Sequence, residues 1–172
     1  GSGSLGGKGR GLAFFSMQIE EMNFGVNLPD VDIDLPNTIV IATDIFDKFV
    51  EENNLQYLTS AEISDEEVSK IFLSSKFNDE IREDLKNLAL QFDHPLAIRS
   101  SSRLEDALHQ PFAGVYRTYF LANNHPNDEI RVEQLINSIK LVYASTYSES
   151  AKSFIRATQH SIEEESMAVV IQ

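Results

Sequence analysis

An α+β class is predicted for this 172-residue chain by three features. Four short runs rich in β-branched and aromatic residues are spread along it: TIVIA, PLAI, YRTYFL and MAVVIQ. Between them lie stretches whose apolar residues recur at helical spacing, most clearly over residues 129–143. Strands and helices are interspersed and no internal repeat is visible, so α/β stands as the alternative class.

Six of the eight glycines fall within the opening GSGSLGGKGRG, which predicts a loop. Its first four residues also resemble a cloning linker. Residues 12–22 are apolar enough for a helix following that loop. Residues 23–37 contain Pro29 and Pro36 among acids and predict a second loop. Residues 38–42 predict a strand, and Thr43 a cap for a helix carrying Ile45, Phe46, Phe49 and Val50. Ser64 followed by Glu67 is a capping-box pattern, opening a helix with Val68, Ile71 and Phe72 on one face. Asn78 caps the next helix, with Asp79 and Glu80 in its first turn and Ile81, Leu85 and Leu88 inward.

Residues 95–98 predict a short buried strand, residues 99–111 a polar stretch, and residues 116–121 another strand after Gly114. The helix over 129–143 carries a core stripe of Ile130, Leu135, Ile136, Ile139, Val142 and Tyr143. A further helix is expected over 147–158, a solvated acidic run over 163–165, and a last strand over 167–172.

Composition narrows the function. No apolar run approaches the roughly 20 residues of a membrane span, and the opening is glycine-rich rather than the apolar core of a signal peptide. Cysteine is absent, which removes disulfides, thiolate metal sites and a thiol nucleophile and fits a cytoplasmic location. The net charge of −13 argues against nucleic acid and against anionic membrane surfaces as partners. Yet residues 1–19 carry Lys8 and Arg10 with no acid, and residues 94–104 carry Arg99 and Arg103 with no acid. All 27 acidic residues lie elsewhere. Two cationic islands in an acidic chain suit a small polyanion, provided the fold brings them together.

Two segments carry chemistry. In GGKGRGLA, glycines let backbone N–H groups approach an anion, Lys8 adds a mobile charge, and a following helix adds its positive end. Neither standard phosphate motif fits. The dinucleotide fingerprint matches only in letters at Gly1, Gly3 and Gly6, with no strand before it, so a dinucleotide oxidoreductase stands as a third expectation that an upstream strand would be needed to revive. Gly9 stands where a P-loop needs Ser or Thr. Glycine content alone leaves phosphate binding and a flexible tail both open. In PLAIRSSSRLEDALHQPFAG, Arg99 sits at the expected end of a strand, where ligands gather, with a planar fork of donors suited to phosphate. Ser100 to Ser102 add small hydroxyls, and Gly114 permits a sharp turn or close backbone approach. An ordinary loop arginine paired with Glu105 or Asp106 is the alternative.

GGKGRGLA, AIRSSSRLEDALHQPFAGVYRTYF, YASTYSESA and MAVVIQ, in this order, resemble successive signatures of one family. It is the N-terminal nucleotide-binding domain of phosphoenolpyruvate synthase and pyruvate phosphate dikinase. The resemblance implies an ATP-grasp fold with a mixed sheet and flanking helices, of which residues 1–172 form the N-terminal part as a single partial domain of a longer protein. It implies a phosphotransferase in which ATP phosphorylates a histidine on a separate carrier domain, which then delivers the group to pyruvate on another domain. By the same resemblance Lys8 and Arg99 contact ATP phosphates, Arg99 as the catalytic candidate. Ala113 and Gly114 supply backbone contacts, Thr118 a hydroxyl, and Gln172 lies on the hinge strand near the adenine.

The chain departs from the pattern at Pro111, where Ser is frequent, and at Val115, Tyr116 and Arg117, where Gln-Gln-Asp is frequent. The segment Leu35-Pro36-Asn37-Thr38 replaces the usual lead into the first strand. A non-catalytic nucleotide-sensing or docking module that kept the fold is therefore the second expectation. The family's Mg²⁺ ligands and carrier histidine are expected outside these residues. None of His94, His109, His125 and His160 sits in a carrier motif.

Overall fold

The computed structural model describes residues 3–22, 35–102, 114–158 and 165–172. Within them the chain forms α1 (Gly6–Met22), β1 (Ile39–Ile41), α2 (Thr43–Glu52), a 3₁₀ turn (Gln56–Thr59), α3 (Asp65–Ser74), α4 (Asp79–Gln91), β2 (Leu96–Ser102), β3 (Thr118–Leu121), α5 (Asp128–Ser145), α6 (Glu149–Thr158) and β4 (Met167–Ile171).

Local chemistry accounts for most of these boundaries. Ser64 Oγ accepts from Glu67 N at 3.2 Å while Ser64 N donates to Glu67 Oε2 at 3.0 Å, the reciprocal box that starts α3. Asn78 Oδ1 accepts from Ile81 N at 3.0 Å and starts α4. Thr43 behaves differently from expectation. It is the first residue of α2 rather than its cap. Its Oγ1 instead accepts from Ser4 N at 2.9 Å, while Thr43 N donates to Ser4 O at 3.0 Å. Gly3 and Ser4 are thus built into the fold, and a Cβ on Gly3 would stand 2.4 Å from Asp44 N.

The four strands form one sheet in the order β1-β4-β2-β3. All three pairings are antiparallel, not the mixed sheet expected. The reason lies in β4. Both β1 and β2 run antiparallel to it and hence parallel to each other, joined by the crossover through α2, α3 and α4. β4 slides between them and removes the parallel pairing such a crossover would otherwise create.

One face of the sheet carries Ile41, Leu96, Ile98, Met167, Val169 and Ile171, which join the main hydrophobic core. Against it the helices set an aromatic cluster. Phe49 packs on Phe77 at 4.5 Å between ring centroids, on Phe72 at 5.8 Å and on Tyr143 at 5.8 Å. Phe46, Phe49 and Phe72 are buried as their helical spacing predicts. The α5 stripe holds too, except that Ile130 at its start is exposed. The opposite face is crossed by α1, giving a helix–sheet–helix stack. No helix among the described residues is long and apolar enough to cross a membrane.

Three further expectations need correction. α1 begins at Gly6 rather than after the glycines. β2 runs through Ser102, so Arg99 stands mid-strand rather than at the end. Ser100, Ser101 and Ser102 are buried between β4 and the neighbouring layers, where backbone pairing overrides their weak strand preference. Glu165, expected on a solvated surface, is buried, and its Oε1 accepts from Tyr116 Oη at 3.0 Å.

Burial, with the charge of Asp47 adding to it, pushes the Tyr147 phenol from 10.0 to about 12. Burial raises the Tyr143 phenol as well. A folded value above the unfolded one means that the neutral phenols contribute stability fully below pH 10.0 and lose it as pH rises through the folded value. Stability in urea should therefore fall between pH 10.0 and about 12, with tyrosinate absorbance rising in step with unfolding. Tyr147→Phe should flatten part of that slope.

Candidate nucleotide site

Strand alternation decides which side chains can meet. In β2, Leu96 and Ile98 face the core, so Ala97, Arg99 and Ser101 face the α1 side. Residues directly opposite in neighbouring strands share a face. Arg99 lies opposite Val170 in β4 and Thr118 in β3, Ser101 opposite Ala168, and Ala97 opposite Phe120. Gln172 extends β4 by one residue, exchanging backbone bonds with Ala97 at 2.7 and 3.1 Å, and so joins the same face. Arg99, Thr118 and Gln172, 73 residues apart at the extremes, are thereby gathered on one side of the sheet.

The glycine-rich opening arrives on that side. Gly6 has φ +66°, and a Cβ there would stand 1.8 Å from the carbonyl oxygen of Ser101. Only glycine fits, on backbone angle and on space alike. Ser101 Oγ then donates to Leu5 O at 2.8 Å and accepts from Gly9 N at 3.0 Å. Ser4 Oγ accepts from Gly6 N at 3.2 Å, satisfying the first backbone donor of α1. The glycines therefore serve close packing of a helix start onto β2, which neither a flexible tail nor an open anion loop would require. Lys8 lies in the first turn of α1, between the two glycines that touch the sheet layer. Ser101, read from sequence as a hydroxyl for a ligand, is the clasp of this contact.

Arg99 is held in place. Its Nη1 donates to Gln172 Oε1 at 2.9 Å, and Gln172 Nε2 donates to Thr38 Oγ1 at 3.2 Å. Thr38 Oγ1 in turn donates to Pro36 O at 2.7 Å. Sequence reasoning missed Thr38 as a site residue. Its signal was available, because it ends the segment that departs from the family pattern. Beside it, α1 and residues 35–40 enclose a cleft of about 360 Å³, lined by Leu5, Leu12, Pro36 and Thr38 among others. A larger cleft of about 640 Å³ lies between α4 and α5 on the other layer, and none of the expected site residues lines it.

Gly114 takes φ +83° with open space around it, so a turn into β3 requires the glycine there. Ala113, Arg103, Glu105, Asp106 and His109 lie outside the described residues. His94 packs edge-on against Phe92, and His125 Nδ1 accepts from Asn127 N, so neither enters the site face. Among the described residues no group of three or more His, Asp or Glu is placed to hold a metal ion.

A family model described as "Pyruvate phosphate dikinase, AMP/ATP-binding domain" matches residues 2–172. The chain belongs to this family. It is 27% identical over 150 residues to an uncharacterised phosphotransferase, YvkC, of Bacillus subtilis, covering 86% of this chain and 16% of that protein. It is 24% identical over 157 residues to a phosphoenolpyruvate synthase of Deinococcus radiodurans, covering 83% of this chain and 19% of that protein. The chain thus spans less than a fifth of the length of these relatives. In this member of the pyruvate phosphate dikinase AMP/ATP-binding domain family, the α1 face of the sheet gathers Arg99, Thr118 and Gln172.

Gly6 and Gly11 should respond oppositely to alanine. Gly6→Ala should lose more than the ~1–2 kcal/mol of a left-handed residue, because the clash with Ser101 adds to it. Gly11→Ala, with nothing within 4 Å of its Cβ, should gain about 0.5–1 kcal/mol of helix stability. Urea unfolding of the two variants checks both signs.

Proposed function

We propose that the face formed by α1, β2, β3 and β4 binds the phosphates of ATP as the first lobe of an ATP-grasp module. In this reading the whole protein is a phosphoenolpyruvate synthase-like phosphotransferase. ATP phosphorylates a histidine on a carrier domain, and pyruvate on another domain is the acceptor. The observation that carries the reading is the convergence of Arg99, Thr118 and Gln172 with the glycine-opened start of α1.

The chemistry follows from these parts. Phosphoryl transfer needs positioning and charge neutralisation more than covalent help. Arg99 offers a planar fork of five donors, of which Nη1 is committed to Gln172. Lys8 adds a point charge at a helix start whose dipole favours anions. Thr118, exposed opposite Arg99, supplies a hydroxyl. Gly114, in the turn before β3, would supply a backbone donor, as would Ala113 by the family resemblance, which also assigns Gln172 to the side of the base. Mg²⁺ would neutralise phosphate charge when bound, and the described residues do not present its ligands. Exposed apolar side chains lie beside the site: Phe120 at 80% on the same sheet face, with Phe14 and Phe15 at 60% on α1. That pattern suits a half-site covered by a second lobe.

One observation favours the alternative of a nucleotide-sensing module. Tyr116, where relatives often carry glutamine, is turned into the fold against Glu165 and is withheld from the phosphates.

In the full-length polypeptide, Lys8→Ala and Arg99→Ala should each lower ATP-dependent phosphorylation about 10- to 100-fold, as expected for losing a charged hydrogen bond of ~1.5–3 kcal/mol. Labelled ATP and an acid-labile phosphohistidine assay provide the measurement. Unchanged labelling in both variants would remove the site. ATP binding with no phosphohistidine in the wild type would select the sensing module.

A further inference from the structure

We propose that Thr38 and Gln172 form a positioning relay that fixes the Arg99 guanidinium for phosphate contact, resting on the site reading above. Arg99 stands mid-strand on the α1 face with its side chain half-buried, and an unrestrained guanidinium there would sample several rotamers. Gln172 Oε1 takes the Arg99 Nη1–H at 2.9 Å. Its amide is oriented by the bond from Nε2 to Thr38 Oγ1 at 3.2 Å. Thr38 can accept that bond because its own hydrogen is spent on Pro36 O at 2.7 Å, which leaves its lone pairs facing Gln172.

Direction therefore runs one way, from Arg99 through Gln172 and Thr38 to a backbone carbonyl. Each hydroxyl or amide has its donor and acceptor roles set by the next. Reversing the Gln172 amide would place its N–H₂ group against the cationic Arg99 and its oxygen against a hydroxyl already donating elsewhere. The relay crosses three strands, with Thr38 extending β1, Gln172 extending β4 and Arg99 in β2. It ties the phosphate-binding fork to the segment that borders the cleft under α1. Gln172 thus acts on Arg99 as a positioning residue, a role separate from any contact it makes toward the base.

The test uses ATP affinity of the full-length polypeptide, together with nitrogen NMR of the Arg99 guanidinium. Thr38→Val keeps shape and removes the acceptor. It should weaken ATP binding about 3- to 10-fold, equivalent to the ~0.5–1.5 kcal/mol net contribution of one hydrogen bond. It should also convert Arg99 from slow to fast guanidinium rotation while the melting temperature stays near the wild-type value. Thr38→Ser should restore both readouts, and Gln172→Leu should reproduce the Thr38→Val phenotype. Wild-type affinity together with unchanged Arg99 rotation in Thr38→Val would overturn the relay. Should Gln172→Leu fail to fold, the Thr38 pair still decides. Wild-type ATP affinity in Arg99→Ala would instead overturn the site itself, which separates the two failures.

Discussion

The contact between Gly6 and Ser101 is the constraint on which the α1 side of the molecule depends. A helix start can approach a strand this closely only where no Cβ intervenes, and here the virtual atom would lie 1.8 Å from a carbonyl oxygen. Once that approach is made, Ser101 Oγ closes it with one bond to Leu5 O and one from Gly9 N. A Cβ on Gly9 would meet Leu5 at 3.1 Å and Val40 at 3.3 Å, so those side chains would have to give by a few tenths of an ångström. The helix is thereby laid over β4, where Ala168 and Val170 are fully buried on the same face. Glycine is a poor helix former, losing roughly 0.5–1 kcal/mol against alanine. The sequence tolerates several in one helix because packing, rather than propensity, stabilises this end.

The sheet separates two tasks by parity. Leu96 and Ile98 of β2 and Met167, Val169 and Ile171 of β4 build an aromatic and aliphatic core with the helices, while Ala97, Arg99, Ser101, Ala168 and Val170 look toward α1. A central strand in a small sheet is normally apolar on both faces once covered. Arg99 breaks that rule, with β4 on one side and β3 on the other. Its polarity is offset by the amide of Gln172 rather than by a carboxylate among the described residues. A neutral partner satisfies one donor without compensating the cationic charge, which suits the phosphate contact proposed for it.

Elements set by local rules were legible in the sequence. The Ser64–Glu67 box, the Asn78 cap and the buried phenylalanines all act within a turn or two of chain. What sequence reading misjudged depended on partners far away. The glycines read as a loop because nothing local shows that β2 will receive them. Ser100 to Ser102 read as a polar loop because their strand exists through pairing with β4. Glu165 read as solvated because Tyr116 arrives from 49 residues earlier. The candidate site was partly legible, since parity along β2 and the block MAVVIQ point to residues that the fold places on one face. The strand order that makes Arg99 and Gln172 neighbours, and brings Thr38 into the same line, has no local signature.

β4 occupies the middle of the sheet yet follows the other three strands in sequence. Thr38 and Gln172, 134 residues apart, meet only across it. During synthesis β1 and β2 therefore wait with unpaired inner edges until β4 emerges. Such long-range closure is slow, and open edges invite pairing with other chains. Truncation before Met167 should then yield aggregation rather than a smaller folded core.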